Sequence, residues 1–306
     1  MTNAYAADEV EAFIEKNIAP VRPFPLSDAE ARRARADADR NDAELARKEL
    51  SAGGLDLERL DTLAREHADA RRSRADEQRR RAVEGSTAVD RWLTGLTPVL
   101  PVDPALMNVI IDRVTFIRTF ADAGVVTDSH IGSLDSWARY RLQPPSGGLG
   151  KTGTGRLSFF VLWQNPRNDA IVASVGPRVV ANAHLSVDAD WNGVAAWFLG
   201  GSEVRATVRA RTTVWAMWDS SVQAIVSDVI LGRAGATGGF FGGDDSTSIA
   251  VNQFIPGSGF FVPAQAFVLI EVTLLTEYHQ TSGSLDLDAA SGAFRVSVPH
   301  LIITVT

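Results

Sequence analysis

The chain has 306 residues, with 30 Lys+Arg against 37 Asp+Glu, 45% hydrophobic residues and no cysteine. A net charge of −7 argues against a surface built as a whole for nucleic acid. The missing cysteines exclude disulfides, thiolate nucleophiles, iron–sulfur clusters and cysteine-based zinc sites, and the length is that of about two domains.

The first residues, Met1 to Glu9, offer neither a basic nor an apolar stretch, so no signal peptide is expected and synthesis is expected in the cytoplasm. No apolar run approaches the ~18 residues of a membrane span, the best one from Ala266 to Ile270 ending at Glu271. Residues 1–27 read as an extended leader with one short helix over Asp8–Ile18. Pro20, Pro23 and Pro25 end that helix.

Ser27 and Glu30 form a capping box, after which Ala, Arg, Asp and Glu dominate as far as Glu84. Gly53-Gly54 divides this text into helices over 28–50 and 55–84, a hairpin. Ala29, Ala36, Ala43 and Leu50 recur every seven residues, which predicts a coiled-coil-like seam with small knobs, and Leu45, Leu50, Leu55, Leu57, Leu60 and Leu63 gather at the turn. Residues 28–84 carry 14 basic and 15 acidic side chains. Phosphate binding needs a one-signed potential that this mixed face lacks, so no nucleic-acid partner is expected, and a helix this polar calls for copies of itself or an assembly partner. Gly85-Ser86 then opens a third short helical stretch, Ala88–Leu96, before Pro98, Pro101 and Pro104.

From about residue 106 to the end the period changes to two. In Ser202–Trp218, Val204, Ala206, Val208 and Ala210 alternate with Arg205, Thr207, Arg209 and Arg211. Further strands are expected at Asn108–Phe116, Ser136–Leu142, Leu157–Trp163, Ala170–Val175, Val179–Val187, Val222–Leu231, Ala266–Tyr278 and Phe294–Val305. Without crossover helices this predicts an antiparallel sandwich of jelly-roll type. The fold class expected is therefore α+β by segregated domains: leader 1–27, helical hairpin or stalk 28–98, and all-β sandwich head 99–306.

Three motifs bear on chemistry. Gly150-Lys151-Thr152 ends like a phosphate-binding loop, but Pro145 replaces the first glycine and a strand follows where a helix is required. Asp188-x-Asp190-x-Asn192-Gly193 matches the first half of a calcium loop, with Leu199 in place of the closing glutamate, so the metal reading is a structural calcium on Asp188, Asp190 and Asn192. Trp191 and Trp197 flank Gly193, where exposed rings would stack on a sugar. The five histidines lack metal-site spacing, no Gly-x-Ser-x-Gly elbow occurs, and no other cofactor or catalytic set is expected.

A stalk joined to a β head is the layout of a non-enzymatic structural or attachment component of a bacterial or phage-like particle. The alternative is a carbohydrate-binding module using Trp191, Trp197 and the calcium loop. A weaker alternative is a hydrolase on the sandwich, whose carboxylate pair would leave no local signature.

Overall fold

The computed structural model describes residues 7–18, 45, 48–96, 106–120, 124–144, 151–190, 202–238 and 243–306. Among the described residues, the helices α1 (Ala7–Asn17) and α2 (Leu57–Gly95) precede fourteen strands. These are β1 (Met107–Ile111), β2 (Phe116–Phe120), β3 (Gly124–His130), β4 (Trp137–Leu142), β5 (Lys151–Gln164), β6 (Ile171–Ala189) and β7 (Glu203–Ala216). They continue as β8 (Gln223–Thr237), β9 (Gly243–Phe254), β10 (Gly259–Val262), β11 (Phe267–Gln280), β12 (Gly283–Ala289), β13 (Arg295–Ser297) and β14 (Leu301–Val305). Every pairing among the described strands is antiparallel.

A five-stranded sheet in the order β2-β5-β11-β7-β8 faces a nine-stranded one whose spine is β6. Alternation sends Leu157, Phe159, Val161 and Trp163 of β5 inward against Val179, Ala181 and Leu185 of β6, with Tyr140 and Leu142 of β4 closing the core. The space left there is an apolar void of about 10 Å³ between Phe159, Val179, Val272 and Leu274. That is at the lower limit for holding one water.

The sequence predicts two strands broken at Gly176-Pro177, whereas β6 runs unbroken for 19 residues. Its neighbours change at that very place. On one side β10 gives way to β9, and on the other β14 gives way to β13 and β12, so the proline's absent N–H falls where ladders are exchanged. The converse happens at Asn108–Phe116, expected as one strand: residues 112–115 lie between β1 and β2, which join opposite sheets. Phe294–Val305 likewise divides into β13 and β14 around Pro299-His300.

The helical segment departs most from expectation. Residues 48–52 are helical and end in a Schellman turn, with Leu55 N–H bonded to Leu50 O at 3.2 Å, Gly54 N–H to Ser51 O at 3.1 Å, and Gly54 at φ +84°. Asp56 then caps α2 by accepting from Arg59 N–H at 3.0 Å. Gly85-Ser86 does not break α2, because the Ser86 hydroxyl donates to Val83 O and also accepts Ala293 N–H at 3.0 Å. The expected short helix Ala88–Leu96 is therefore the last part of α2. Most of the first hairpin arm, 28–44, lies outside the described residues, as does the expected capping box at Ser27.

Both helices lie on outer sheet faces. Val10, Ile14 and Ile18 of the α1 segment bury against Phe120, Phe160, Met217 and Leu269 on the five-stranded sheet, each such side chain being worth about 1.5–3 kcal/mol. Glu11 pairs with Arg118, and Arg156 donates to Ile18 O at 2.8 Å. α2 crosses the nine-stranded sheet from Arg71 to Leu96 and so completes a helix, sheet, sheet, helix stack.

Candidate functional site

In β6 the even residues Arg178, Asn182, His184, Ser186 and Asp188 point away from the sandwich core, and α2 covers them. In α2 the residues turned inward, Ala68, Arg71, Ala75, Arg79, Ala82, Ser86, Asp90 and Leu93, follow the 3.6-residue period of one helical face. The seam between these two rows is polar. Arg71 Nη1 meets Asp188 Oδ1 at 3.3 Å, and Arg79 Nη2 meets Asp288 Oδ2 at 2.7 Å and Asp286 through its other nitrogen at 3.4 Å. Asn182 Nδ2 donates to Ser86 O at 3.0 Å, and Asp90 holds Arg295 through two bonds of 3.0 and 3.1 Å. At the helix end Arg178 donates to Leu96 O at 3.0 Å and to Asn252 Oδ1 at 3.0 Å.

The centre of the seam is a charge cluster. Asp286 accepts from Arg141 of β4 at 2.9 Å as well as facing Arg79, and the hydrogen bond to Asp286 holds Arg141 protonated more firmly than usual. Burial alone would raise the pKa of Asp288. The Ser291 hydroxyl, the Ala290 and Ser291 N–H groups and Arg79 outweigh burial and hold it at about 2. Beside them His184 is 5% exposed, in register with Asp288 on one side and Ser248 on the other, and neither ring nitrogen has a protein partner. Burial lowers its pKa, with Arg79 adding to the effect and the two aspartates opposing it.

The residues expected to bind metal fall at the far end of this seam. Asp188 faces α2 and is paired with Arg71, while Asp190 accepts from Ser282 Oγ at 2.9 Å. Burial raises the Asp188 pKa, Arg71 opposes this, and nearby Asp190 and Asp244 add to it. Asn192, Trp191 and Trp197 lie outside the described residues. Among the described residues no group of three or more His, Asp or Glu side chains is arranged to hold a metal ion. The Lys151-Thr152 end of the phosphate-loop-like segment begins strand β5.

A second buried polar group lies under α1. Glu271 accepts from Ser158 Oγ at 2.6 Å and from Trp215 Nε1 at 3.0 Å on the outer face of the five-stranded sheet. The rest of that face is self-neutralised, with Arg209 between Glu277 and Asp228, and Arg211 on Asp228.

The sequence shows Arg71 and Arg79 within Arg-rich runs and Asp286-x-Asp288 as oxygens for a cation, but it does not join them with His184 in one seam. Signals existed, since His184 and Asp188 share a strand face by parity and Asp286-x-Asp288 does the same. What joins them, the pairing of β6 with β12 and the docking of α2, has no local signature.

The fold and this seam define an antiparallel two-sheet sandwich clamped by a helix on each outer face. No protein-family model and no curated protein matches the chain. Among solved structures it is similar to the infectious bursal disease virus VP2 subviral particle, at 12% identity and a TM-score of 0.17 over 68% of this chain and 43% of that one. It is similar to the bacteriophage CBA120 tailspike protein 4 enzymatically active domain at 12% identity and a TM-score of 0.15, over 66% of this chain and 19% of that one. The chain thus spans less than half the length of either, and a likeness this shallow carries no functional inference.

Proposed function

We propose that the chain is a non-enzymatic structural or attachment component of a bacterial or phage-like particle, its sandwich presenting a contact surface and its helical hairpin joining it to copies of itself or to a neighbour. In this reading the head is wound as a jelly roll and the Ala/Leu stripe is a coiled-coil seam. The observation that carries it is the division of α2. From Arg71 onward the helix is tied to the sheet, whereas at the hairpin turn Leu55 and Leu63 remain 47% and 41% exposed and Leu45 is exposed as well. Clustered exposed leucines on a charged helix mark a protein contact.

The absence of native cysteine makes the test direct, because one introduced cysteine can form only an intermolecular disulfide. Leu63→Cys is expected to give covalent dimers on oxidation at low micromolar concentration, well above those from Val125→Cys, an exposed position on β3. Equal cross-linking at both positions would remove the hairpin as the joining element.

A further inference from the structure

The enclosed imidazole of His184 has no role in the assembly reading, and its surroundings are arranged around the docked helix. We propose that His184 makes the α2 seam an acid-sensitive latch, in which a neutral imidazole is enclosed while the helix is docked and protonation releases residues 71–96 from the nine-stranded sheet.

Every element packed around the ring contributes to this balance. α2 brings Arg79 over it, with Gln78 and Arg71 on the same helix, and β12 brings Asp286 and Asp288. β9 brings only the neutral Ser246 and Ser248, and on its own strand Asn182 and Ser186 separate the ring from Arg178 and Asp188. The two aspartates would welcome an imidazolium, but their oxygens are already engaged by Arg79, Arg141, Ser291 and backbone N–H groups. A proton on His184 would thus sit beside the Arg79 cation in a buried seam where neither ring nitrogen has a protein acceptor. Undocking hydrates the ring and removes Arg79 at once.

The sign follows from linkage. Burial lowers the docked histidine's pKa, so above the ordinary value of about 6.5 both states are neutral and docking is unaffected. Below it the undocked state takes a proton that the docked state refuses. The docked-to-undocked ratio then falls by up to about tenfold per pH unit until the pH passes the docked value. His300, its ring tilted 60° to Phe254 at 5.3 Å, is likewise lowered by burial and by Arg178, and it is unchanged in the variant tested. Asp188, raised by burial, pulls the other way and is unchanged in the variant tested.

The experiment is hydrogen–deuterium exchange of the full chain at pH 7.5 and 5.0, corrected for intrinsic exchange rates. Protection over 71–96 is expected to fall at least fivefold at pH 5.0 while β6 and β11 keep theirs, and His184→Gln is expected to lose most of that difference. Equal protection at both pH values, or an equal loss in His184→Gln, would overturn the proposal. A chain bridged by a short bis-maleimide between Gln78→Cys and Ser246→Cys, whose native side chains meet at 3.3 Å, keeps the test independent of that variant's folding. The bridged helix is expected to stay protected at pH 5.0, and if it loses protection like the free one, acid acts by general unfolding and the latch is wrong.

Discussion

Asp288 shows how much a single carboxylate organises. It is 1% exposed, accepts from the Ala290 and Ser291 backbone and the Ser291 hydroxyl, and anchors Arg79 of a helix 209 positions away in sequence. Its depressed pKa of about 2 means that its contribution is fully present above the unfolded value near 4 and is lost as the pH falls towards 2. Nearly two pKa units correspond to about 2 kcal/mol. Asp288→Asn is therefore expected to cost about 2 kcal/mol at pH 7 by urea denaturation, and only a small fraction of that at pH 2, where the native carboxyl is itself about half protonated. An equal cost at both pH values would show that the charge is not what matters. The sequence offers Asp286-Leu287-Asp288 as a source of oxygens for a cation, and the pairing with Arg79 is not legible there. Asp188 and Asp190 are visible there as oxygen donors, but Arg71, 117 positions earlier, supplies the positive charge that a bound cation would have brought to Asp188. With that charge in place millimolar calcium is expected to leave the melting temperature unchanged, whereas a rise of several degrees would support the calcium reading of Asp188, Asp190 and Asn192.

At the scale of elements, what can be read depends on whether the determining contacts are local. The α1 helix and the alternating strand β7 follow from periodicity and β11 from its β-branched and aromatic residues, whereas β5 begins at Lys151, six residues before the expected Leu157. β6 reads as broken because a proline normally ends a strand, and only the arrangement of its neighbours explains why Pro177 is tolerated. β3, β9 and β12 are rich in Gly, Ser, Thr and Asp, and pairing with neighbouring strands holds them in place. Gly257-Ser258-Gly259-Phe260-Phe261 has the composition of a loop tip, yet it feeds into β10, with Phe260 buried and Phe261 exposed. Two predictions belong here. Ile14→Ala, which empties the centre of the α1 contact, is expected to cost about 2–4 kcal/mol and to change Trp215 fluorescence as the overlying helix loosens. Gly54→Ala meets open space but must hold φ +84°, so a loss of about 1 kcal/mol is expected, read as lower helicity on mild heating. A neutral result for either would mean that its helix contributes little to the fold.

For the whole molecule, helices α1 and α2 lie as layers on the outer sheet faces. α1 is held by apolar anchors and α2 by charges and hydrogen bonds, so the two outer layers differ in kind: the first resembles a core, the second an interface between separable parts. Removing both helices would strip a face of the sheet bearing His184, Asp188 and Asp288, and such a truncation would confuse loss of assembly with loss of fold. Substitutions at the hairpin turn avoid this. The most direct measurement is the solution mass of the full chain by light scattering after size exclusion, over a tenfold dilution, beside Leu55→Glu/Leu63→Glu. The account predicts a multiple of 32.9 kDa for the native chain and 32.9 kDa for the variant, with unchanged circular dichroism in the β region. A native chain at 32.9 kDa throughout would contradict self-association through the hairpin, and an unchanged multiple in the variant would move the interface elsewhere.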